Sequence, residues 1–591
     1  MTPRMPSPLV PWTALVAGLA GCLSVPDGPE PMCHATSDCD RSHGEVCEEG
    51  VCWGNPPPGP FAAVISPPST RQDLVSRELP QVAIPDFGWL GDLALETPVL
   101  LGGKLEVFCP PPLVACDPTP LGGTVTLSRP SLFHGGPGFK TVANVAAGDS
   151  FAIPVRRTQP DDDLYTVTIT PDSTRQLGGR SAAEIVPPRR MQVSVSDNTN
   201  IQTIALGGAD LPAVTGTLRD STGAGLANYR VSAFGRWDPT EPAIEVSTID
   251  YTDATGGFSI ALSDELVGTV ELIARPVPVK LDDPPPTAPT IHAPGIDATR
   301  SSTRSIVAPA DLGKPAPLNL QIQALNDSGV IVAVSGAVVS VTGARADALN
   351  SFTMTDEKVA DADGRVALNL LDGAGVAGTY RMSITPPAGS SYSVVFDQKA
   401  SLQMTPQVRL GSRIALRGRV IGADDKPVSN VAVTARPSLR FLWTLDAASQ
   451  AFAASIPAAT AVTLANGDFR VWVDQNIAQV WGHYDLLIEP PTGVLAPDYL
   501  VSEFEILRNA SLDAVTVGDL VLPQASYVHG RITGPDGQSV DGAELRLYRL
   551  STQLTLCSEV AHAPASCPIP AQLQARGTSD SEGTVRLVLP R

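Results

Sequence analysis

The chain has 591 residues, which at roughly 150 residues per domain predicts about four domains. Hydrophobic residues make up 43% and charged residues only 17%, which excludes an intrinsically disordered protein. The 51 Gly and 56 Pro exclude an architecture of long helices and predict many short strands joined by turns. The net charge of −20 argues against a nucleic-acid partner, because such a partner requires a basic face.

The first 22 residues, MTPRMPSPLVPWTALVAGLAGC, predict a targeting signal. A positive charge at Arg4 precedes an apolar stretch from Leu9 to Ala20 that is too short to span a bilayer. The stretch ends in Leu-Ala-Gly-Cys, which resembles the lipobox of bacterial lipoproteins. The resemblance implies a mature chain that begins at Cys22 and carries lipid there, with enough acyl chains for stable anchoring. The alternative is an ordinary secretory signal with a chance cysteine.

Nine cysteines leave eight after the lipidation site is removed, and export to an oxidising compartment favours disulfides among them. Four of these cysteines lie close together in the sequence, at positions 33, 39, 47 and 52. Their spacing lacks the C-x2-C of zinc sites, so we predict a knot of two disulfides in any of three connectivities. The segment CHATSDCDRSHGEVCEEGVC also resembles short modules that follow the lipid anchor in myxobacterial surface lipoproteins. The disulfide candidates are the cluster Cys33, Cys39, Cys47 and Cys52 and the local pairs Cys109 with Cys116 and Cys557 with Cys567.

An internal repeat dominates the rest of the chain. Three segments begin with a strand, a Gly or Asp turn and a second alternating strand, at VTGTL (214–218), LRGRV (416–420) and VHGRI (528–532). A second motif follows in TDATGGFSIAL, LANGDFRVWV and TSDSEGTVRLVL, and ADADGRVALNL is a fourth copy of it. A third motif closes the units at 163–171, 267–276, 378–387 and 482–491. Alternating apolar residues indicate strands with one buried face, as in antiparallel sheets.

The combined pattern resembles the carboxypeptidase regulatory-like domain. This resemblance implies a transthyretin-like, seven-stranded sandwich within a carbohydrate-binding-like fold group. It covers about 210–591 in four copies, with a more diverged unit expected in 61–208. The last copy lacks the third motif, so either its sandwich misses one edge strand or a neighbour completes it.

The predicted fold class is therefore all-β, with tandem antiparallel β-sandwich domains after a lipoprotein signal and a small disulfide knot. The Pro-rich stretches NPPPGP and DDPPPTAPTIHAPG predict linkers. The predicted units are a signal peptide (1–21), the knot with its Pro linker (22–60), a diverged sandwich (61–208), a repeat (209–280), a Pro-rich linker (281–300), a sandwich repeat (301–408), a repeat (409–523) and an incomplete repeat (524–591).

Motifs for catalysis, metals or cofactors are not evident in the sequence. The seven His show no H-E-x-x-H spacing, and neither G-x-S-x-G nor G-x-x-x-x-G-K-[ST] occurs. A G-x-G-x-x-G at 373–378 precedes an alternating strand rather than a helix, which indicates a loop. The acidic segments 361–364 and 579–583 lack a calcium ligand set and read as β-turns. We predict no catalytic residue, metal or cofactor, although a Ser/His/Asp set assembled from distant strands is the alternative.

Exposed aromatic residues are the candidates for stacking against a sugar. Trp237 and Trp443 lie in inserts between repeat strands, where loops commonly carry binding function. Trp472 alternates with Phe469, Val471 and Val473 and is expected to point outward. The alternative is that each Trp covers a sandwich end as part of the core edge. The isolated His483 and His529 are expected to be structural.

These observations predict a non-enzymatic, lipid-anchored protein of the cell envelope, in which the knot and spacer hold a row of sandwiches off the membrane. Leu23 and Ser24 follow the lipid cysteine without the Asp that retains many lipoproteins at the inner membrane, which favours the outer membrane. The expected role is a structural or adhesive scaffold. The alternative is a glycan- or peptidoglycan-binding lipoprotein. The expected partners are the membrane, through Cys22, and a polysaccharide, peptidoglycan or envelope protein.

Overall fold

The computed structural model describes most of the chain after residue 32. The described residues are 33–48, 50–107, 119–158, 164–177, 180–197, 199–205, 211–239, 241–278, 287–326, 328–404, 406–446, 449–450, 453, 456, 458–474, 476–477, 480–491, 494–506, 514–550 and 571–591. The signal 1–21, the lipidation site Cys22 and the candidate pairs Cys109–Cys116 and Cys557–Cys567 lie outside these ranges.

The first described element is the cysteine knot, a hairpin with two short 3₁₀ turns. Its disulfides join Cys33 to Cys47 and Cys39 to Cys52, which confirms the two-disulfide prediction and selects one of the three connectivities. The knot comprises the turns Thr36–Asp38 and Arg41–His43 and the strands β1 (Val46–Glu48) and β2 (Val51–Trp53).

Within the described ranges, forty-two further strands follow, and they build five sandwiches. The segment after the knot holds β3 (Phe61–Ser66), β4 (Arg77–Val82) and β5 (Trp89–Ala94). Sandwich 1 holds β6 (Val99–Val107), β7 (Thr119–Pro120), β8 (Gly123–Arg129), β9 (Phe139–Val145), β10 (Ser150–Val155), β11 (Tyr165–Pro171), β12 (Arg175–Leu177), β13 (Arg180–Ser181), a 3₁₀ turn (Ala182–Glu184), β14 (Arg189–Val193) and β15 (Thr199–Ala205).

Sandwiches 2 and 3 follow directly. Sandwich 2 holds β16 (Ala213–Arg219), β17 (Tyr229–Gly235), β18 (Ile244–Glu245), β19 (Asp250–Tyr251), β20 (Gly257–Ala261), β21 (Thr269–Pro276), β22 (Thr290–Asp297) and β23 (Ser302–Val307). After a 3₁₀ turn (Ala310–Leu312), sandwich 3 holds β24 (Pro315–Leu325), β25 (Ile331–Ala333), β26 (Val338–Ala346), β27 (Ser351–Val359), β28 (Arg365–Leu371), α1 (Ala374–Ala377), β29 (Arg381–Thr385), β30 (Val395–Lys399) and β31 (Gln407–Leu410).

The remaining strands form sandwich 4 and a C-terminal segment. Sandwich 4 holds β32 (Ile414–Ile421), β33 (Ala432–Pro437), α2 (Leu439–Leu442), β34 (Ala459–Val462), β35 (Asp468–Val473), β36 (Asn476–Ile477), β37 (Val480–Trp481), β38 (His483–Glu489), β39 (Tyr499–Glu505) and β40 (Ala514–Val521). The C-terminal segment holds β41 (Ala525–Thr533), β42 (Glu544–Arg549), β43 (Gln572–Thr578) and β44 (Thr584–Pro590).

All five sandwiches share one seven-strand topology. The first strand pairs antiparallel with the fourth and parallel with the seventh, which gives a three-stranded sheet, as in β20-β16-β23. The second strand pairs with the third and the fifth, and the fifth pairs with the sixth, which gives a four-stranded sheet, as in β34-β33-β38-β39. The predicted all-β fold of tandem sandwiches is thereby confirmed. The parallel pair in each small sheet is a feature that the antiparallel prediction did not include.

The fifth sandwich, here the composite sandwich, is built from two segments at opposite ends of the described chain. β41, β42, β43 and β44 occupy the first four positions of the topology. β3 pairs with β42 over Phe61–Ser66 and takes the fifth position, β4 takes the sixth, and β5 runs parallel to β41 as the seventh. The two segments share one core that includes Phe61, Ile65, Leu545 and Leu587. A distant part of the same chain therefore completes the last repeat.

This pairing changes the predicted unit boundaries. The range 61–208 divides, because β3, β4 and β5 belong to the composite sandwich, whereas sandwich 1 begins at β6. The range 281–300 contains β22, which pairs with β21 and is the sixth strand of sandwich 2, although it was predicted as a linker. Pro294 is compatible with this strand because the pairing of β22 with β27 involves only residues 290–292.

The repeat motifs have identifiable structural roles. At or just before the start of the second motif, the buried hydroxyls of Thr252, Thr463 and Ser579 each accept an N–H bond from a residue at or just before the start of the second strand and donate to a carbonyl. In the third motif, the fully buried Tyr380 and Tyr484 donate their hydroxyls to carbonyls at or just after the end of the fourth strand. These bonds satisfy buried polar groups and fix the loops that join the two sheets.

Each sandwich contacts the next through specific polar contacts. Glu78 of the composite sandwich is buried beside Arg129 of sandwich 1, at 3.7 Å, and accepts the N–H of Leu132. Arg190 of sandwich 1 makes two hydrogen bonds to Glu241 of sandwich 2. The contacts between sandwiches 1 and 2 also include the bond from Ser263 Oγ to the carbonyl of Pro188 (2.6 Å).

Sandwiches 2 and 3 share a continuous sheet, because the edge strands β22 and β27 pair with each other. His292 lies on this junction, with Nδ1 3.0 Å from Glu271 Oε1 and Nε2 3.0 Å from Thr353 Oγ1. The pairing satisfies two strand edges that would otherwise be open to association with other chains. The cores of the two sandwiches form one cluster.

Sandwiches 3 and 4 are joined through the hydrogen bonds of a buried ion pair that lies in sandwich 4. Arg413 and Asp474 of sandwich 4 have side chains that are only 8% and 3% exposed, and Arg413 Nε donates to Asp474 Oδ2 at 3.0 Å. Each also binds sandwich 3: Arg413 donates to the carbonyl of Ser390, and Asp474 accepts the N–H of Val394. The pair therefore links sandwich 4 to sandwich 3 through its hydrogen bonds to backbone groups.

Sandwich 4 contacts the composite sandwich, with which this series of domain contacts began. Tyr527 Oη donates to the carbonyl of Leu495 at 3.0 Å, and Arg576 pairs with Glu489 at 3.0 Å. The contacts thus pass from the composite sandwich through sandwiches 1 to 4 and back. The segment 55–60, predicted as a linker, lies along the composite sandwich: Asn55 donates its N–H to the carbonyl of Asp86, and Leu550 donates its N–H to the carbonyl of Pro60.

We expect that the double variant Ser66→Cys/Glu544→Cys forms a disulfide, because these residues are direct partners in the β3–β42 pair and antiparallel partners have suitable Cα spacing. Mass spectrometry of unreduced peptides should find the 66–544 cross-link. The control Ser66→Cys/Arg546→Cys is two residues out of register and should form little cross-link. Equal cross-linking in both variants would contradict this register.

We expect that Arg413→Leu destabilises sandwich 4 by about 3–5 kcal/mol near pH 7, because it leaves a buried carboxylate without its partner. Burial raises the pKa of Asp474, and Arg413 opposes that rise, so loss of Arg413 raises this pKa further. A carboxyl whose folded pKa exceeds its unfolded value of about 3.9 loses stability as the pH rises above that value. The deficit should therefore be smaller at pH 4.5 than at pH 7.

Hydrogen exchange of the β32 and β35 amides, corrected for intrinsic rates, measures this opening free energy at both pH values. The control Arg413→Leu/Asp474→Leu removes both charges and should show a deficit that hardly depends on pH. A single-variant deficit that is the same at both pH values would count against the role assigned to Asp474.

Candidate functional site

The outer faces of the three-stranded sheets carry the chemical differences among the sandwiches. In the first strand of three sandwiches, a central Gly lies between two outward residues: Thr-Gly-Thr in β16, Arg-Gly-Arg in β32 and His-Gly-Arg in β41. The Gly is needed for packing in β16 and β32, because a Cβ at Gly216 or Gly418 would lie within 2.8 Å of the ring of Phe258 or Phe469 on the fourth strand. The flanking residues are free to vary.

Sandwich 4 presents arginines and a tryptophan on this face. Arg417 lies directly opposite Arg470, and Arg419 lies opposite Asp468. Trp472 is half-buried on the same face, since Phe469, Val471 and Val473 fill the core, as the alternation predicted. A shallow recess of about 410 Å³ is lined by residues that include Arg417, Arg419, Arg470 and Thr516.

Two of these arginines are held in defined positions. Arg419 makes paired hydrogen bonds to Asp519, at 3.2 and 2.8 Å, and this hydrogen bonding lowers the pKa of Asp519. A bulge in the β32–β40 pairing brings Asp519 opposite Arg419. The guanidinium of Arg470 lies 4.1 Å from the centre of the Trp472 ring, a cation–π contact. Within the part of the chain that the structure describes, neither Arg417 nor Arg470 has a carboxylate at ion-pair distance.

The other two predicted stacking residues lie elsewhere. Trp237 is partly buried against the shared core of sandwiches 2 and 3, and its Nε1 donates to the carbonyl of Asp264 at 3.0 Å. Trp443 is half-buried at the end of the one-turn helix α2. The structure does not bring Trp237, Trp443 and Trp472 together, since they lie in different sandwiches or on different faces.

The composite sandwich carries a second aromatic group on its outer face, where the knot docks. His529 lies between two indoles, with ring centres 4.7 Å from Trp53 and 5.0 Å from Trp89. Trp53 is 4% exposed, and β2 continues the sheet beside β41. A cleft of about 450 Å³ beside this stack is also lined by acidic residues and Arg586. The stack therefore fixes the knot to the sheet and leaves a polar cleft at its edge.

The acidic turns have the predicted turn geometry. Asp361 Oδ1 accepts the backbone N–H groups of Asp363 and Arg365, and Asp580 Oδ1 accepts those of Glu582 and Thr584. In the described ranges, the group with metal-ligand geometry is Cys33, Cys39 and Cys52, whose sulfurs are engaged in the two disulfides. The glycine motif at 373–378 is a loop with a single helical turn, followed by β29.

Arg417 and Arg470 were missed in the sequence analysis, as were Trp53, Trp89 and His529 as a group. The alternation of β32 and β35 indicates which residues point outward, and R-G-R with R-x-W is the signal that could have identified the arginines. Their direct juxtaposition depends on the register between strands about 50 residues apart, which alternation alone leaves open. The aromatic group joins three segments from opposite ends of the chain.

Comparisons with known proteins show low similarity throughout. No family model and no curated protein matches the chain. A streptococcal ancillary pilin is 13% identical, covers 53% of this chain and 99% of its own, and has a TM-score of 0.19. The shaft pilin SpaA of Lactobacillus rhamnosus GG is 11% identical over 36% of this chain and 96% of its own, with a TM-score of 0.15.

A 9R-lipoxygenase from Cyanothece PCC8801 is 14% identical, with a TM-score of 0.12. This chain spans 16% of the lipoxygenase, and the match covers 19% of this chain. Overall similarities this low carry no argument about function, and the fold described above rests on the strand pairing. Over the described ranges, none of the helices is long and apolar enough for a membrane span.

Proposed function

We propose that this chain is a non-enzymatic structural or adhesive protein of the bacterial cell envelope, anchored by lipid at Cys22. The observation that carries the scaffold role is the composite sandwich, in which β3 from one end of the described chain completes the sheet of β42 from the other. Because the contacts between domains form a closed series, each junction between two sandwiches is restrained by all the others. This arrangement suits a protein that must keep its shape under load better than a row of independent domains would.

The contacts at the junctions support the same role. Buried or bidentate ion pairs join the composite sandwich to sandwich 1 and sandwich 1 to 2, and the buried Arg413–Asp474 pair of sandwich 4 binds two backbone groups of sandwich 3. Inter-domain motion is the usual expectation for small polar interfaces, and a continuous sheet or a buried charge pair opposes it.

The anchoring proposal rests on the lipobox at residues 19–22 and on the knot that follows it. The knot docks beside β41, so a lipid on Cys22 would hold the composite sandwich close to the membrane. The remaining sandwiches would be presented through their contacts with it. We expect an outer-membrane location because Leu23 occupies the position at which Asp favours inner-membrane retention.

A second candidate function is glycan binding, and the outer face of sandwich 4 favours it. Trp472 is half-buried next to the exposed Arg417 and Arg470 on an open sheet face. Aromatic rings beside hydrogen-bond donors are typical of surfaces that bind sugars through stacking and polar contacts. A scaffold protein of the envelope can carry such a face without any change in its architecture.

We expect that Cys22→Ala releases the protein from membranes, because the variant cannot receive the lipid that makes anchoring stable. Fractionation of cells followed by detection of the chain measures the membrane-bound share. The control Leu23→Asp keeps the cysteine and should leave the protein membrane-bound but move it to the inner membrane. Retention of the Cys22→Ala variant in membranes would refute the lipid anchor.

A further inference from the structure

We propose that the outer face of the β35-β32-β40 sheet binds an acidic polysaccharide. Arg417 and Arg470 would bind carboxylate or sulfate groups of the polymer, and Trp472 would contact a sugar ring. This inference rests on the glycan-binding function proposed above and specifies the class of glycan. It concerns sandwich 4 alone and does not depend on the lipid anchor.

The first argument is that the two neighbouring arginines repel each other electrostatically. Arg417 and Arg470 are direct partners on neighbouring strands and point to the same face, and like charges in this position destabilise a sheet. The chain contains 61 acidic and 41 basic residues, so carboxylates are plentiful as partners. Arg419, two residues from Arg417, has Asp519, whereas no described carboxylate pairs with Arg417 or Arg470. An anionic ligand would relieve this repulsion.

The second argument is the orientation of the guanidinium groups. Arg470 lies over the Trp472 ring at 4.1 Å, which holds one arginine in place before a ligand arrives. A guanidinium stacked on an aromatic ring retains N–H donors along its edge, and these match the two oxygens of a carboxylate or sulfate. Arg417 is exposed on the adjacent strand and adds a second positive charge.

The third argument is a comparison within the chain. The equivalent face of sandwich 2 carries Thr215 and Thr217, with Ser259 and Thr303 on the neighbouring strands. Thr215 and Thr303 form a hydrogen bond across that face at 3.2 Å. The same topology therefore forms with small hydroxyl side chains in place of Arg417 and Arg470. The folding of the sandwich does not require an arginine pair at this position.

The fourth argument concerns the class of ligand. The recess is shallow and lies on the face of the sheet, where extended peptides do not find the free backbone groups that they use at a strand edge. Nucleic-acid binding is dominated by contacts to many phosphates, whereas this face offers two arginines, Arg417 and Arg470, without a carboxylate partner. A polysaccharide with spaced charges can place one or two anionic groups on the arginines and a sugar ring near Trp472.

The test uses the full chain in detergent and three immobilised polymers: polygalacturonate, neutral dextran and poly-glutamate. We expect saturable binding to polygalacturonate that weakens with salt, and weak binding to dextran and poly-glutamate. Arg417→Gln/Arg470→Gln should lower affinity for polygalacturonate at least about tenfold, and Trp472→Ala should lower it several-fold. The control Arg365→Gln/Arg381→Gln removes two exposed arginines of sandwich 3 and should change affinity less than twofold.

Thermal unfolding separates binding from folding. Because Arg417→Gln alone removes the like-charge contact and keeps the contact of Arg470 with Trp472, it should be at least as stable as the parent, whereas loss of stability would indicate a structural role and overturn the proposal. An equal loss in the sandwich 3 control, or equal binding to poly-glutamate, would also overturn it. Binding to dextran that requires Trp472 but not the arginines would retain the glycan function and refute the acidic class. Binding to no polysaccharide would refute both.

Discussion

The structure depends on the pairing of β3 with β42. These strands lie more than 400 residues apart in sequence, yet they are direct neighbours in one sheet and fill one core. Without β3, the last repeat would expose the edge of β42 and lose the apolar side chains that β3 contributes. The pairing also fixes where the chain enters sandwich 1 and where it leaves sandwich 4, so the other four sandwiches must fit between two points of the same domain.

The five sandwiches share one topology but differ in their outer faces, because the packing requirements apply only to the residues that face the core. Gly216 and Gly418 pack under aromatic rings, and the buried hydroxyls of Thr252 and Thr463 satisfy backbone groups in the same way. The outer residues next to these positions differ from one sandwich to another. In the composite sandwich this freedom produces the aromatic stack that receives the knot, and in sandwich 4 it produces a face of arginines.

The first, second, fourth and fifth strands of most units could be predicted from sequence, because their Gly turns and alternating residues are local signals. The sixth and seventh strands could not: β22 contains Pro294 and reads as a linker until its partners are known. The role of β3 depends on a partner at the other end of the chain, which no local pattern encodes. At the candidate site, the alternation of residues predicted that Trp472 points outward. That Arg417 lies directly opposite Arg470 depends on the register of the two strands, which the sequence pattern does not determine.

The shared composite sandwich has a consequence for the order in which the chain folds. Sandwiches 1 to 4 each consist of contiguous sequence and can form as they are synthesised. β3, β4 and β5 emerge early and wait for β41 and β42, which at roughly 5–20 residues per second takes tens of seconds. During that interval β3 lacks its partner β42 and β5 lacks β41, and core residues of β3 such as Phe61 and Ile65 have no complete core to enter. If the chain crosses a membrane unfolded, as the proposed envelope location requires, β3 and β42 reach the same compartment before either has folded with another partner.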